Sequence, residues 1–142
     1  MRWLVAAALL AGCLDDLAPE VGPPLAPRCL DEDSDPATAV PFSHVEEVLE
    51  EYCLGCHSPT AEHPLGIEIG GLDLSSYASL RAGGVRGGAS IVVPGRPCES
   101  VIFLKVGPAP PFGSRMPFGF PPLDDEDLEV LHDWIAEGAR ED

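Results

Sequence analysis

Five consecutive residues, Cys53-Leu54-Gly55-Cys56-His57, combine two thiols and an imidazole at a spacing that suits one particular chemistry. When two cysteines lie on one helical turn, each thiol can add to one of two neighbouring haem vinyl groups. The imidazole that follows directly can then bind the haem iron as its proximal ligand. The pentapeptide therefore predicts one covalently attached haem, held through Cys53 and Cys56 and ligated by His57.

Other interpretations of the pentapeptide fit the rest of the chain less well. A redox-active C-x-x-C of the thioredoxin type occurs beside a βαβ pattern, which the sequence lacks. A structural zinc ion needs four ligands, usually from two paired motifs, and the chain has no second C-x-x-C and no H-x-x-x-H. His63 could still supply a further ligand, so zinc stays open as an alternative. A disulfide between Cys53 and Cys56 would leave His57 without a role.

The N-terminal residues 1–12 are typical of a targeting segment. Arg2 gives a positive start, and the apolar run that follows is too short to span a bilayer. The L-A-G-C string that ends at Cys13 resembles the lipobox of bacterial lipoproteins, which implies that Cys13 becomes the lipid-modified first residue of the mature chain. The alternative is an ordinary secretory signal with a free cysteine nearby. The first interpretation predicts an extracytoplasmic protein, lipid-anchored to a bacterial membrane on its periplasmic or outer face.

The chain is strongly acidic, with a net charge of −16 that becomes −17 when residues 1–12 and their single charge at Arg2 are removed. Such acidity argues against nucleic-acid binding and against docking on an anionic membrane surface. It favours association with a redox partner, donor or acceptor, that has a basic docking face. Most of these charges are nevertheless expected to be solvated surface.

Three regions follow from the composition: a signal peptide at 1–12, a tether at 13–40 and a folded domain at 41–142. Residues 13–40 are rich in proline and acidic residues and lack any apolar period, which is typical of a linker. If flexible, this tether would have an r.m.s. reach of roughly 30 Å, enough to hold a small domain away from a membrane.

Helices are expected at both ends of the domain. Ser43 and Glu46 form a capping-box pattern, so the first helix should run from Ser43 into the haem motif. The last helix should begin at Asp124, with Asp127 in its first turn, and end near Gly138. The apolar stripes of these two helices are Val45, Val48, Leu49 and Tyr52, and Leu128, Leu131, Trp134 and Ile135.

Shorter helices are expected in between. One should lie within residues 72–80 with a cap at Ser75 or Ser76, and another should follow a cap at Ser100. No alternating strand pair is present, so the sequence predicts an all-α domain.

Met116 is the remaining methionine once residues 1–12 are removed, and it lies in a loop rich in proline and phenylalanine just before the last helix. The prolines limit the freedom of the loop, and the phenylalanines could exclude water from a haem face. We therefore expect the Met116 thioether to bind the iron opposite His57, an arrangement that raises the reduction potential.

Several alternatives to Met116 stay open. The methionine could instead fill a gap in the core. His63, on a proline-flanked loop, is the best candidate for a bis-histidine iron. His44 lies too far along the first helix, and His132 is expected to be solvated on the outer side of the last helix.

Together these elements resemble the class I c-type cytochromes: a helix, C-x-x-C-H, a middle segment, an R-M-P loop and a closing helix with a W-I pair. The strings G-L-D-L, V-P-G-R-P and W-I-A-E-G-A are similar to the cytochrome c-like modules of planctomycete and myxobacterial secreted lipoproteins. The resemblance covers about residues 42–140. It implies a small cytochrome c-like fold in which the first and last helices cross and loops wrap one haem c. It also implies thioether bonds at Cys53 and Cys56, His57 as proximal ligand and Met116 as distal ligand.

Cys29 and Cys98 are not part of the haem motif, and they suit a disulfide in an oxidising compartment. Pairing would join the end of the tether to the domain and shorten its free reach to roughly 20 Å. The alternative is two free or intermolecular thiols.

An iron with both axial positions filled has no open site, so we expect a single-electron carrier and not an enzyme. Such a carrier could also serve as the haem module of a larger dehydrogenase complex. One alternative is a five-coordinate haem peroxidase or ligand sensor, with His63 or Arg115 as its polar distal group. Another is a non-redox lipoprotein whose domain is an interaction module.

Overall fold

A computed structural model describes residues 29–141; Cys13, the proposed lipobox and the signal peptide lie outside them. The described residues form helices and loops and contain no β-strand, which confirms the all-helical part of the fold prediction. No helix among them is both long enough and apolar enough to cross a membrane. This part of the chain contains six α-helices: α1 (Phe42–Tyr52), α2 (Leu54–His57), α3 (Leu65–Gly70), α4 (Tyr77–Ala82), α5 (Val101–Val106) and α6 (Asp125–Ala136). Two short 3₁₀ turns lie at Gly88–Ile91 and Pro97–Glu99.

Helices α1 and α6 pack against each other, as expected, because each buries its apolar stripe. Val45 and Ile135 are completely buried, and Trp134 is nearly so. Leu128 is only half-buried at the edge of this contact. The remaining fully or nearly buried apolar residues of the core include Phe42, Val48, Leu49, Leu74, Leu80, Ile91, Val92, Ile102, Val106, Leu123 and Leu131.

An aromatic cluster connects α1, α4 and α6. The ring of Phe42 lies 5.5 Å from that of Trp134 and 5.2 Å from that of Tyr77, between ring centroids. The Tyr77 hydroxyl donates to the carbonyl of Ala139 (2.9 Å), so the cluster also holds the C-terminal end of α6 in place. Burial of these large rings stabilises the contact between the first and last helices.

The start of α1 differs from the prediction. The helix begins at Phe42, and the N-cap residue Pro41 makes no side-chain capping bond, so the predicted Ser43–Glu46 capping box is absent. Phe42 is buried against Trp134, whereas Ser43 is exposed. The burial of one ring therefore decides where the helix begins, and the proline supplies an extended residue before it.

The caps of α4 and α6 follow the predicted chemistry. Ser76 caps α4 in a reciprocal pair with Ser79, and the helix ends at Ala82, two residues beyond the predicted range. Asp124 accepts a hydrogen bond from the amide of Asp127 at the start of α6 (2.9 Å). Gly138, just beyond α6, has φ +108°, a conformation that favours glycine at a helix end.

Ser100 occupies the N-cap position of α5, as predicted, but its side chain does not cap the helix. The buried hydroxyl accepts a hydrogen bond from the amide of Val93 (2.8 Å) and donates to the carbonyl of Arg96 (3.0 Å). Ser100 therefore stabilises the preceding turn, because a buried hydroxyl needs partners wherever they lie.

Residues 29–40, which the sequence assigned to the tether, lie against α6; we call them the N-terminal strap. The Ser34 hydroxyl donates to Asp133 and to Glu129 (2.6 Å), and the Ser34 amide donates to Asp133 (3.0 Å). The Val40 amide donates to Glu137 (2.9 Å). The end of the predicted tether is therefore attached to the domain along one side of the last helix.

The strap is also joined to the domain at its first residue. Cys29 and Cys98 lie at disulfide distance, with 5.6 Å between their Cα atoms. The Cys98 amide donates to the Asp31 carboxylate close by (2.9 Å). The strap is therefore held to the domain at both of its ends.

His132 is not solvated, contrary to the prediction. Its side chain is 15% exposed, and its ring lies 5.3 Å from that of Phe103. Nε2 lies 2.7 Å from the Leu30 carbonyl oxygen, and Nδ1 lies 2.7 Å from Oδ1 of Asp133. The strap covers this side of α6, which a helical projection of α6 alone cannot reveal.

Asp133 lies at the centre of the strap contact. Burial raises the pKa of this carboxyl, but the hydrogen bonds from Ser34 and His132 outweigh burial and leave the pKa below its ordinary value of 3.8. A carboxylate that is better stabilised in the folded state strengthens the fold at neutral pH and loses that effect in acid. The strap is therefore held most firmly at pH values at which Asp133 is ionised.

Candidate functional site

The cysteine–histidine pentapeptide forms one helical turn directly after α1. The Cys53 amide donates to the Leu49 carbonyl (2.9 Å), which closes α1. The Cys53 carbonyl then accepts hydrogen bonds from the amides of Cys56 (3.1 Å) and His57 (2.9 Å). The backbone turn that thioether attachment at this spacing requires is therefore present.

The base of this turn is connected to α6. The Asp127 carboxylate near the Tyr52 hydroxyl, with a smaller effect of burial, raises the pKa of Tyr52 well above its usual range. Tyr52 immediately precedes Cys53. The first turn of α6 therefore helps to position the motif.

Both thiols of the motif are unpaired, so Cys53 and Cys56 do not form the disulfide that the sequence left open as an alternative. Cys53 is half-buried against the hydrophobic core, and burial raises the pKa of its thiol to about 12. Cys56 is exposed. One thiol is thus positioned by the core and the other faces outward, and both have a free sulfur for thioether formation.

One ring nitrogen of His57 is hydrogen-bonded to the protein backbone, and the other is available to bind a metal. Nδ1 lies 3.0 Å from the Leu72 carbonyl oxygen, an atom that only accepts, so Nδ1 carries the hydrogen. Nε2 then keeps its lone pair for a metal. The Leu74 amide also donates to the His57 carbonyl (2.8 Å), so the segment after α3 fixes both the ring and the backbone.

The His57 ring lies directly against Gly66 of α3. A Cβ atom on Gly66 would come within 2.3 Å of Nδ1, so the ring occupies space that any other residue would fill. Neither Gly66 nor Leu72 was predicted to belong to the site, because neither residue type is itself a ligand. A glycine in a short helix just after the motif was the one signal that could have indicated a close approach.

We expect Gly66→Ala to displace the His57 ring, break its bond to the Leu72 carbonyl and destabilise the fold by about 1–3 kcal/mol, because the added methyl overlaps the imidazole. Denaturant unfolding measures the loss. Gly70→Ala is the matched control, since a Cβ at this other glycine of α3 meets nothing within 4 Å. Equal stability in the two variants would contradict the role of Gly66.

Met116 lies on the loop between α5 and α6 and is half-buried against the same core as Cys53. Its amide donates to the Lys105 carbonyl (2.8 Å), and its carbonyl accepts from the Arg115 guanidinium (3.3 Å). The backbone on both sides of the thioether is therefore fixed by hydrogen bonds.

The phenylalanines of this loop are the residues that we expect to exclude water from a haem face. Phe118 and Phe120 are 69% and 67% exposed. Phe112 instead lies beside the ammonium group of Lys105. In the protein alone, this part of the loop leaves apolar surface uncovered.

Further apolar side chains are exposed next to the pentapeptide. Helix α3 contacts α2, and Leu65 and Ile69 of α3 are 51% and 80% exposed. Val85, which is 82% exposed, lies beside α3, because its amide donates to the Gly70 carbonyl (2.8 Å). A large, flat, apolar cofactor bound at this site would cover these exposed apolar side chains.

The alternative ligands among the described residues are poorly placed. His63 is 78% exposed and lies 4.0 Å from the Glu62 carboxylate, and His44 is exposed. Within residues 29–141, no three His, Cys, Asp or Glu side chains are grouped as metal ligands. The alternative of zinc bound by the pentapeptide and His63 therefore has no ligand set in this range.

Comparisons with known proteins add no relative. The chain matches no protein-family model, no curated protein and no solved structure. The resemblance to class I c-type cytochromes consequently depends on the motif residues of this chain alone.

Proposed function

We propose that this chain is an extracytoplasmic, lipid-anchored monohaem c-type cytochrome that carries single electrons between redox proteins and is not itself an enzyme. One observation carries the proposal: the set of donor atoms on the turn from Cys53 to His57. Cys53 and Cys56 are unpaired on one helical turn, and the Leu72 carbonyl holds Nδ1 of His57 so that Nε2 is available.

The chemistry of these residues suits haem c. Two thiols can form thioether bonds to the two vinyl groups, and a neutral imidazole fixed by a carbonyl is the usual proximal arrangement. Cys53 and Cys56 would hold the porphyrin, and the His57 imidazole and the Met116 thioether would be the protein ligands of the iron. Bound haem would supply a one-electron couple between the ferric and ferrous states.

The rest of the domain would isolate and orient this couple. The exposed apolar side chains of Leu65, Ile69 and Val85 would exclude water beside His57. Exclusion of water and a neutral sulfur ligand both favour the ferrous state, which raises the reduction potential.

The acidic surface and the strap fit a tethered carrier. A net charge of −16 favours a partner with a basic docking face and would speed its encounter at low salt. The strap begins at Cys29, bonded to Cys98, so a lipid at Cys13 would hold the domain by a short linker. The lipid anchor itself rests on the lipobox-like string in the sequence.

The test is a haem stain after denaturing electrophoresis of protein made in a host that matures c-type haem. We expect the wild-type band to stain, because thioether bonds survive denaturation, and the Cys53→Ser/Cys56→Ser double variant to lose the stain. Single Cys53→Ser and Cys56→Ser variants, each with one thiol left, should stain more weakly. A wild-type band without stain would rule out the proposed function and favour a non-redox interaction module.

A further inference from the structure

We propose that Lys105 is a positioning residue for Met116: its ammonium and carbonyl groups together hold the loop that would present the thioether to the iron. This inference rests on the proposed function, because it assigns a role in ligation by Met116.

Lys105 contacts the loop at three points. Its Nζ donates to the Phe112 carbonyl (2.7 Å) and to the Ser114 carbonyl, and its own carbonyl accepts from the Met116 amide (2.8 Å). One residue in the last turn of α5 therefore fixes every second residue from 112 to 116. The loop turns around the ammonium group at Gly113, which has φ +56°.

The ammonium group is stabilised by this loop and not by an ion pair. Among residues 29–141, no carboxylate lies within ion-pair distance of Lys105. Its Nζ lies 4.9 Å from the centroid of the Phe112 ring, and the Arg86 guanidinium lies 5.8 Å from the same ring. Burial and the charge of Arg86 both lower the pKa of Lys105. A half-buried ammonium group without an ion-pair partner is stabilised by the carbonyl oxygens that accept its hydrogen bonds. The same hydrogen bonds hold the loop in place.

This hold on the loop matters for a thioether ligand. The chain from Gly107 to Asp124 contains no helix, and apart from the prolines little else in its sequence restricts it. Arg115 fixes the other side of Met116 through the carbonyls of Met116 and Phe120. Because a neutral sulfur binds iron weakly, its occupancy depends on how closely the backbone holds it in place. Loss of such outer contacts typically weakens a metal–ligand interaction by about 10–100-fold.

The experiment compares Lys105→Leu with wild type and with Arg86→Leu in the full haem-loaded chain. Arg86→Leu is the matched control, since it removes the other cation near Phe112 without removing a bond to the loop carbonyls. Three quantities are measured: the red absorption band of sulfur-to-iron charge transfer in the ferric protein, carbon monoxide affinity of the ferrous protein, and hydrogen exchange of the Met116 amide.

For Lys105→Leu we expect a weakened charge-transfer band, a carbon monoxide affinity raised by about 10–100-fold and faster exchange of the Met116 amide. Arg86→Leu should match wild type in all three. Unchanged band and affinity in Lys105→Leu would overturn the inference, even if exchange became faster, because Lys105 would then act on the fold alone.

Two further results keep the test decisive. If circular dichroism shows that Lys105→Leu is unfolded, Lys105→Gln, which removes the charge but keeps a donor, should show the same changes to a smaller degree. Wild-type values in a folded Lys105→Gln would overturn the inference. Absence of haem from wild type would overturn the proposed function itself, whereas haem-loaded wild type with an unaffected Lys105 variant would overturn this inference alone.

Discussion

Replacing Met116 with alanine is expected to open the haem iron to external ligands and to lower its reduction potential. The variant would lose the thioether, and alanine has no atom that can bind iron. A neutral sulfur ligand favours ferrous iron, so its replacement by water shifts the couple towards the ferric state.

The measurement is carbon monoxide binding to the reduced protein without denaturant, together with a potentiometric titration. Wild type should resist carbon monoxide, and Met116→Ala should bind it stoichiometrically. Val130→Ala is the matched control, since Val130 is also half-buried against the core but lies on α6. An unchanged ferric spectrum and unchanged ligand binding would show that Met116 is not the ligand.

The same experiment separates the electron carrier from a haem peroxidase or ligand sensor. Wild-type protein that binds carbon monoxide readily would favour the five-coordinate alternative. In the structure, however, the Arg115 guanidinium is bonded to the carbonyls of Met116 and Phe120, and His63 is largely exposed. Neither polar side chain is held in a buried position that a distal group would need.

Removing the disulfide is expected to produce the second large effect. The bond between Cys29 and Cys98 joins residues that are 69 apart in sequence, and in the chain-entropy model such a cross-link stabilises the folded state by about 4 kcal/mol. We expect the Cys29→Ser/Cys98→Ser variant to lose about that much free energy of unfolding, because its unfolded chain gains freedom.

Denaturant unfolding of the two proteins measures this difference. Reduction of wild type should reproduce it, and Ser43→Ala, an exposed substitution on α1, should change the free energy of unfolding by less than about 0.5 kcal/mol. A loss below about 1 kcal/mol would show that the hydrogen bonds of Ser34 and Val40 to α6 hold the strap without the disulfide.

Features that depend on neighbouring residues could be predicted from the sequence. The cap at Asp124, the glycine end at Gly138 and the turn of the pentapeptide each involve partners within four residues. Propensity and capping rules describe such short-range bonds well. The packing of α1 on α6 could also be predicted from the sequence, because two helices with apolar stripes in one small domain bury those stripes against each other.

Several features that depend on distant residues could not be predicted. Ser34 and Asp133 are 99 residues apart, so nothing local indicated that the strap would lie on α6 or that His132 would be covered. The start of α1 depends on a ring contact between Phe42 and Trp134, which outweighed a good local capping pattern. Gly66 is important only because the His57 ring lies against it.

The central claim is that haem is covalently attached to Cys53 and Cys56, and mass spectrometry of the purified protein tests it most directly. After iodoacetamide treatment and proteolysis, we predict that the peptide containing residues 53–57 carries the mass of one haem and no alkyl group. A peptide without haem, alkylated at both Cys53 and Cys56, would contradict the claim.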